Sequence, residues 1–260
     1  MTSSIVHSTK EYKVVGKRPI RHDGYDKVTG RAKYGADIAL PGLLVGKVLR
    51  SPHAHAQIMS VDTSAAEAHP DVRAVVTNAD LPSPAGKEPK LSENILAQQK
   101  ALYKGHAIAA IAAISNHAAE EALSLIKVEY KIFPSVTNVV QAIAPNAPLI
   151  HKQMGSNLTN HNRYALGDVK SAMAASDIQI KRSYETDTIH QGYIEPHSVT
   201  ALWATDKITL WTSSQGHFQI GEMTAKSLDL SSSQIKVIPM EIGGGFGGKT
   251  TIYLEPVAAL

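Results

Sequence analysis

The sequence predicts a mixed α/β (α+β) fold, on the evidence of two recurring patterns. Short apolar runs of strand length recur along the chain, several with alternating polar residues, which is typical of half-buried strands. Segments with helical spacing of apolar residues separate some of these runs. The chain is 43% hydrophobic and 19% charged, which is ordinary for a globular domain.

The first part of the chain predicts two successive strand–helix–strand units. The predicted strands are residues 43–50, 57–61, 72–77, 107–114 and 128–133. The predicted helices are residues 64–68 and 116–126, the second capped by Ser115 or Asn116. Residues 79–99 contain several prolines and few β-forming residues, so we expect a loop there with one helical turn at most.

The second part begins after a proline-containing crossing segment, residues 134–163, which predicts a domain boundary. The predicted elements beyond it are helices 169–175, 216–228 and 251–260, and strands 178–185, 198–203, 207–212 and 235–240. Phe218, Met223 and Leu228 are the predicted buried face of the helix over 216–228. The final helix ends apolar, and we expect this face to need a partner.

Residues 243–250 depart most from what a plain folded domain needs. Glycines surround one aromatic residue, Phe246, and such a cluster indicates positive φ angles or close approach to another group. A strand is predicted before it and a helix after it, so its N–H groups could face an anionic or polar ligand. The predicted cofactor loop comprises Gly243, Gly244, Gly245, Phe246, Gly247 and Gly248.

Two other interpretations of this loop stay open. Residues 243–250 fit the phosphate-loop pattern GxxxxGK[ST] letter for letter, which would indicate a nucleotide-binding protein. A large aromatic residue in mid-loop makes this the second-ranked interpretation. The third is a glycine-rich turn packed on a neighbouring domain, as in a non-catalytic remnant.

Composition argues against several classes of function. The net charge is +3 and the basic residues are scattered among acidic ones, so no nucleic-acid surface is predicted. The chain has no cysteine, which excludes disulfides and any iron–sulfur cluster that this polypeptide holds through cysteine. No run approaches the roughly 18 apolar residues of a membrane span. The N-terminus has no apolar signal core, so we expect the cytoplasm, or the periplasm if the protein is exported with a partner.

Three strings resemble the molybdenum hydroxylases, the group of xanthine dehydrogenase, aldehyde oxidase and carbon monoxide dehydrogenase large subunits. They are GGGFGGK at 243–249, IHQGYIEPH at 189–197, and the whole text of residues 26–80. The resemblance implies an a/b hammerhead domain followed by the first, incomplete part of a molybdopterin-binding domain. The expected limits are an arm at 1–20, the hammerhead at 21–145, a linker at 146–165 and the truncated cofactor domain at 166–260.

The resemblance also implies roles for particular residues. Gln215 precedes Phe246 by the same spacing as the glutamine that hydrogen-bonds a molybdenum oxygen ligand in xanthine-dehydrogenase-like enzymes, so both are expected at the catalytic centre. Glu195 and His197 are expected to order the loop by hydrogen bonds to the backbone. Lys249 could neutralise a cofactor phosphate or the acid of the next helix. Purine-oxidising relatives carry glutamate where Thr250 stands here, which favours an aldehyde or another N-heterocycle as the small-molecule substrate.

The implied cofactor is molybdenum–molybdopterin, in its cytosine dinucleotide form if the source is bacterial. The family hydroxylates with oxygen from water, and its general base is a glutamate in the C-terminal part of the large subunit, outside these 260 residues. The chain is therefore expected to be inactive alone. The expected partners are that C-terminal part, a 2Fe–2S subunit carrying Fe–S clusters, and an FAD or haem-containing cytochrome subunit.

Overall fold

A computed structural model describes residues 10–82 and 91–260. Part of the loop predicted over 79–99 therefore lies outside the described residues. A short surface helix, α1 (Gly24–Thr29), precedes the first sheet and contributes no buried residue. None of the helices within the described ranges has the length and hydropathy that crossing a bilayer requires.

The first unit contains two three-stranded antiparallel sheets with helices between their strands. Its elements are β1 (Val45–Arg50), β2 (Ala56–Asp62), α2 (Ser64–Glu67), β3 (Val72–Thr77), α3 (Leu91–Ile95), β4 (Lys100–Ala101), β5 (Ala107–Ala113), α4 (Asn116–Leu125), β6 (Lys127–Ile132) and α5 (Val139–Ala142). The sheet orders are β1-β5-β3 and β4-β2-β6. All five strands and both helices predicted for this part are confirmed.

Strand β5 is the centre of the first sheet because its sequence, AIAAIAA, is apolar on both faces. Helix α4 packs against it through the small side chains of Ala118, Ala119 and Ala122, which let the helix approach the sheet closely. The Ser115 hydroxyl accepts a hydrogen bond from the Ala118 N–H, so the predicted N-cap is confirmed.

The second unit is built on a third sheet, of order β7-β8-β9. Its elements are α6 (Val169–Ala174), β7 (Val199–Ala204), β8 (Lys207–Thr212), α7 (His217–Ser227), β9 (Ile235–Pro239) and α8 (Glu255–Ala259). Strands β7 and β8 form the predicted hairpin, while β8 and β9 are parallel. Helix α7 connects the parallel pair, as a crossover connection must.

The two units share one hydrophobic core. The cluster contains Leu81, Ile95, Leu96 and Ala107 from the first unit, and Ile208, Leu210, Ile220, Leu228, Ile252 and Ala259 from the second. Because these side chains touch within one cluster, burial in one unit stabilises the other.

One predicted strand is wrong. Residues 178–185 form no strand, although their apolar and polar residues alternate. Ile178, Ile180 and Tyr184 are 79%, 72% and 85% exposed. A strand needs a hydrogen-bonded neighbour, and no strand of the described chain pairs with this segment.

Two details of the helices also differ from expectation. Phe218 is 91% exposed, because it lies in the first turn of α7 and at the margin of the arc that faces the sheet. Met223 and Leu228 do pack on the core as predicted. The last helix starts at Glu255, later than predicted, with Pro256 in its first turn, where a missing N–H costs nothing.

Candidate cofactor-binding site

The glycine loop and Gln215 come together because β8 and β9 are parallel. Thr212 at the end of β8 pairs in register with Pro239 at the end of β9. Parallel strands end at the same edge of a sheet, so the segments that follow them are neighbours. Gln215 follows β8, and the loop 243–250 follows β9.

Gln215 holds the far end of the loop through its side chain and its backbone. Its Oε1 accepts hydrogen bonds from the backbone N–H groups of Gly247 (2.9 Å) and Lys249 (3.3 Å). Its own N–H donates to the Lys249 carbonyl at 2.8 Å. Only the carbonyl end of an amide accepts from N–H, so the two N–H groups of the Gln215 side chain stay available as donors.

Glu195 holds the near end of the loop. Its Oε2 accepts from the Gly243 N–H at 2.7 Å and from Lys249 Nζ at 2.8 Å. The Lys249 side chain is fully buried, and its ammonium group also lies 4.9 Å from the centre of the Tyr193 ring. The structure thus gives Lys249 the partner Glu195 and not the acid of the next helix. Glu195 does order the loop by a backbone hydrogen bond, as expected.

The loop glycines are needed for two separate reasons. Gly244 and Gly247 have positive φ angles of 104° and 85°, a region that favours glycine. At Gly243, Gly245 and Gly248, an added Cβ would lie 2.6 Å from Glu195 Cβ, 2.6 Å from Gln215 Oε1 and 2.9 Å from Tyr193 Cε1. The side chains of the neighbouring segments therefore occupy the space that larger loop residues would need.

Phe246 stands at the exposed tip of the loop. Its φ is 47°, and this left-handed conformation is strained for a residue with a side chain. The side chain is exposed, with 72% of the residue accessible. Within the described chain, the N–H groups of Gly244, Gly245 and Phe246 meet no acceptor. The tip therefore exposes one aromatic ring and leaves three backbone donors without an acceptor among the described residues, although Gly245 itself is buried.

This geometry does not favour the phosphate-loop interpretation. A phosphate-loop lysine must extend to the nucleotide, whereas Lys249 is buried against Glu195. Nor does a helix follow the loop directly, since α8 begins at Glu255 and has five residues.

Rings from the stretch 189–197 cover one side of the loop. Tyr193 contacts His190 and His197 at centroid distances of 4.8 and 5.6 Å, and His197 contacts Tyr253 at 4.7 Å. His197 therefore makes ring contacts and not the backbone hydrogen bond that we expected. Burial lowers the pKa of His197, which keeps its ring neutral near pH 7.

The N-terminal segment contributes contacts to the residue pair that precedes the loop. Lys27 Nζ lies 3.0 Å from Glu241 Oε2 and 2.9 Å from Asp23 Oδ2. The Glu241 N–H donates to the Lys33 carbonyl at 3.0 Å. These contacts fix the backbone just before the loop, and no motif in the sequence indicates a pairing across so long a separation.

Comparison with known proteins identifies two family domains. The family model described as "Aldehyde oxidase and xanthine dehydrogenase, a/b hammerhead domain" matches residues 29–134. The model described as "Molybdopterin cofactor-binding domain" matches residues 150–260.

Similar proteins carry related names. The xanthine dehydrogenase molybdenum-binding subunit of Escherichia coli O157:H7 is 33% identical over 254 residues, which cover 92% of this chain and 33% of that protein. The nicotinate dehydrogenase large molybdopterin subunit of Eubacterium barkeri is 33% identical over 257 residues, covering 96% of this chain and 59% of that protein. The crystal structure of quinoline 2-oxidoreductase from Pseudomonas putida 86 superposes with a TM-score of 0.83 at 27% identity, covering 96% of this chain and 33% of that one.

The chain thus spans about a third of the length of two of these proteins and 59% of the third. Both family models describe successive parts of one kind of large subunit, and they match in the expected order, hammerhead first. The chain belongs to the aldehyde oxidase and xanthine dehydrogenase family, the molybdenum hydroxylases, and corresponds to a portion of their molybdopterin-binding large subunit.

Proposed function

We propose that this chain is the N-terminal part of the molybdopterin-binding subunit of a molybdenum hydroxylase that oxidises an aldehyde or an N-heteroaromatic compound with oxygen derived from water. The observation that carries the proposal is the preformed loop beside Gln215. Its shape is held by side chains of the chain itself, and its tip still offers unpaired donors.

The residues present fit a pterin with oxygen ligands on its metal. Such a group presents mainly hydrogen-bond acceptors at the metal, and the chain offers donors there: the N–H groups of Gly244, Gly245 and Phe246, and the Gln215 amide. The close approach of Gln215 to Gly245 places the amide against the loop that would hold the group. When bound, molybdenum–molybdopterin would supply the redox and electrophilic capacity for hydroxylation.

Gln215 and Phe246 each have a defined task in this proposal. Gln215 would donate from Nε2 to an oxygen of the bound group, while its Oε1 keeps the loop in place through Gly247 and Lys249. The exposed ring of Phe246 provides a flat apolar surface against which a planar substrate packs. The general base and further cofactor contacts come from the rest of the large subunit, so the isolated chain is inactive.

Thr250 supports a substrate other than a purine. Its hydroxyl donates to the Gly247 carbonyl at 3.0 Å, so the loop itself uses this side chain. A carboxylate at this position could accept hydrogen bonds from the N–H groups of a purine ring on two charged oxygens, whereas the shorter, neutral side chain of Thr250 has a single oxygen with which to accept. The names of similar proteins include nicotinate dehydrogenase and quinoline 2-oxidoreductase, which is consistent with an N-heteroaromatic substrate.

Electrons from the reaction must leave through another chain or domain, because the 260 residues include no cysteine to hold an iron–sulfur cluster. We therefore include in the proposal a 2Fe–2S subunit and an FAD or cytochrome subunit as partners. The cofactor takes its cytosine dinucleotide form if the source is bacterial. The domain limits belong to the same proposal, with the hammerhead at 21–145 and the cofactor domain beginning at 166.

The test is elemental analysis of the complex that co-purifies with the chain from its native host. We expect molybdenum bound to the complex and oxidation of quinoline- or aldehyde-type substrates. Gln215→Ala should lower kcat, whereas the control Gln153→Ala, at an exposed glutamine, should not. A metal-free complex whose loop ATP or GTP protects from proteolysis would establish the nucleotide-binding alternative, and a stable metal-free monomer would establish a non-catalytic remnant.

A further inference from the structure

The Glu195–Lys249 pair has no task in the chemistry described above. The Lys249 side chain is 0% exposed and that of Glu195 is 12% exposed, so the ion pair is largely withdrawn from solvent. Burying an ammonium group is costly unless a carboxylate compensates it. Two apolar side chains at these positions would avoid the desolvation cost of the two charges. The presence of the pair beside a ligand-binding loop therefore suggests a task for it.

The geometry of the pair closes the loop. One oxygen, Glu195 Oε2, accepts hydrogen bonds from both the Gly243 N–H and Lys249 Nζ. It therefore joins the first residue of the loop to a residue near its end. The Glu195 N–H also donates to the Gly243 carbonyl at 3.4 Å. Gln215 then binds the N–H groups of Gly247 and Lys249. The backbone between these fixed points includes Phe246.

The contacts also explain why the loop tolerates strain. Phe246 keeps a positive φ, and such a conformation persists only where the surroundings determine it. Within the described chain, the only hydrogen bonds that constrain the loop from outside it are those of Glu195 and Gln215. Loss of either one frees the backbone to relax.

We propose that Glu195 and Lys249 are positioning residues: their buried ion pair holds the glycine loop, and with it Phe246, in the bound-ready conformation before any ligand arrives. The role toward a molybdopterin cofactor rests on the proposed function. The effect on the loop itself is a property of this chain alone and can be measured without the metal.

The experiment is amide hydrogen exchange, read by mass spectrometry on the full chain without cofactor. In Lys249→Met, Glu195 becomes an unpaired buried charge, turns toward water and releases the Gly243 N–H. Within the peptide over 241–250, exchange of the hydrogen-bonded amides, above all that of Gly243, should then rise by at least ~100-fold. Exchange over β5 should stay unchanged. The matched control is Lys236→Met, at an exposed lysine on β9.

The second substitution makes the test specific for coupling. Glu195→Gln in the Lys249→Met background removes the stranded charge and keeps an amide oxygen for the Gly243 N–H, so loop exchange should return to within about tenfold of wild type. Independent space-filling residues would give no such rescue. If Lys249→Met does not fold, Glu195→Gln alone must accelerate loop exchange, because it leaves Lys249 charged and without a carboxylate.

Three outcomes would overturn the proposal: unchanged exchange over 241–250, an equal rise over β5, or a double variant whose loop exchanges as fast as that of Lys249→Met.

In the assembled complex, Lys249→Met should raise KM more than it lowers kcat, since Phe246 packs against substrate. A complex without molybdenum would refute the proposed function and leave the exchange result standing. If the complex contains molybdenum but Lys249→Met leaves exchange over the loop unchanged, only the positioning role is refuted.

Discussion

Replacing Gly245 with alanine should destabilise the chain through a single contact. The added Cβ would lie 2.6 Å from Gln215 Oε1 and 2.8 Å from Gln215 Cδ, closer than such atoms can approach. The φ of Gly245 is not positive, so the alanine would cost nothing through the backbone. The whole effect must come from displacing the Gln215 side chain.

The size of the effect follows from what Gln215 would lose. Moving its amide breaks the hydrogen bonds from the N–H groups of Gly247 and Lys249. A net loss of about 0.5–1.5 kcal/mol for each bond gives roughly 1–3 kcal/mol of lost stability. Gln215→Ala removes the same two bonds and should cost a similar amount.

A double-mutant cycle, read from urea denaturation of the purified chain, checks this explanation. In Gln215→Ala the three atoms nearest to the Cβ at position 245 are absent, so Gly245→Ala should then cost less than about 0.5 kcal/mol. The coupling free energy should equal most of the single-variant effect. Gly46→Ala is the matched control, because its Cβ would find ordinary contact distance, 3.9 Å from the Ile111 carbonyl oxygen.

Additive free energies in this cycle would refute the reasoning. They would mean that Gly245 is required for a backbone conformation or for a contact other than the one with Gln215.

Two further predictions concern the cores of the two units. Burial lowers the pKa of His106 below its ordinary value of 6.5. The unfolded chain therefore binds a proton more readily than the folded chain does. The free energy of unfolding is thus highest above about pH 6.5 and falls toward acid by up to about 1.4 kcal/mol per pH unit. The melting temperature of His106→Gln should change less between pH 7 and pH 5 than that of wild type, and an equal change would contradict the prediction. On α7, Ile220→Ala should cost about 2–5 kcal/mol, because Ile220 is fully buried, whereas Phe218→Ala should cost less than about 0.5 kcal/mol; a comparable loss from both would show that the helix faces the sheet differently.

Local patterns in the sequence were sufficient for most of the fold. Apolar and alternating runs identified the strands of the three sheets except the two-residue β4, and Ser115 identified the start of α4. The strand predicted over 178–185 failed because pairing is a property of two segments, and alternation in one of them cannot supply the other. The prediction that Phe218 is buried failed for a related reason. Periodicity gives the angle of a side chain around a helix but not which turn of the helix lies over the sheet.

The site was predictable only in part. The glycines indicated an unusual backbone, and the structure shows both positive φ angles and close approaches there. The resemblance implied that Gln215 lies near the loop. The parallel pairing of β8 and β9 that brings them together was not predicted from residue patterns. The pairing of Glu195 with Lys249, 54 positions apart, carries no local signal. Ion pairs between distant segments depend on the assembled tertiary structure.

The hydrophobic cluster that joins the two units has a consequence for how the chain responds to change. Leu96 and Ala107 belong to the first unit, Ile208 and Leu210 to the second, and all four lie in one cluster. The boundary between the two family domains therefore need not be a boundary between cooperative folding units in this chain. A substitution at Leu96 or Ala107 should therefore lower the stability of the cofactor-binding unit as well as that of its own unit.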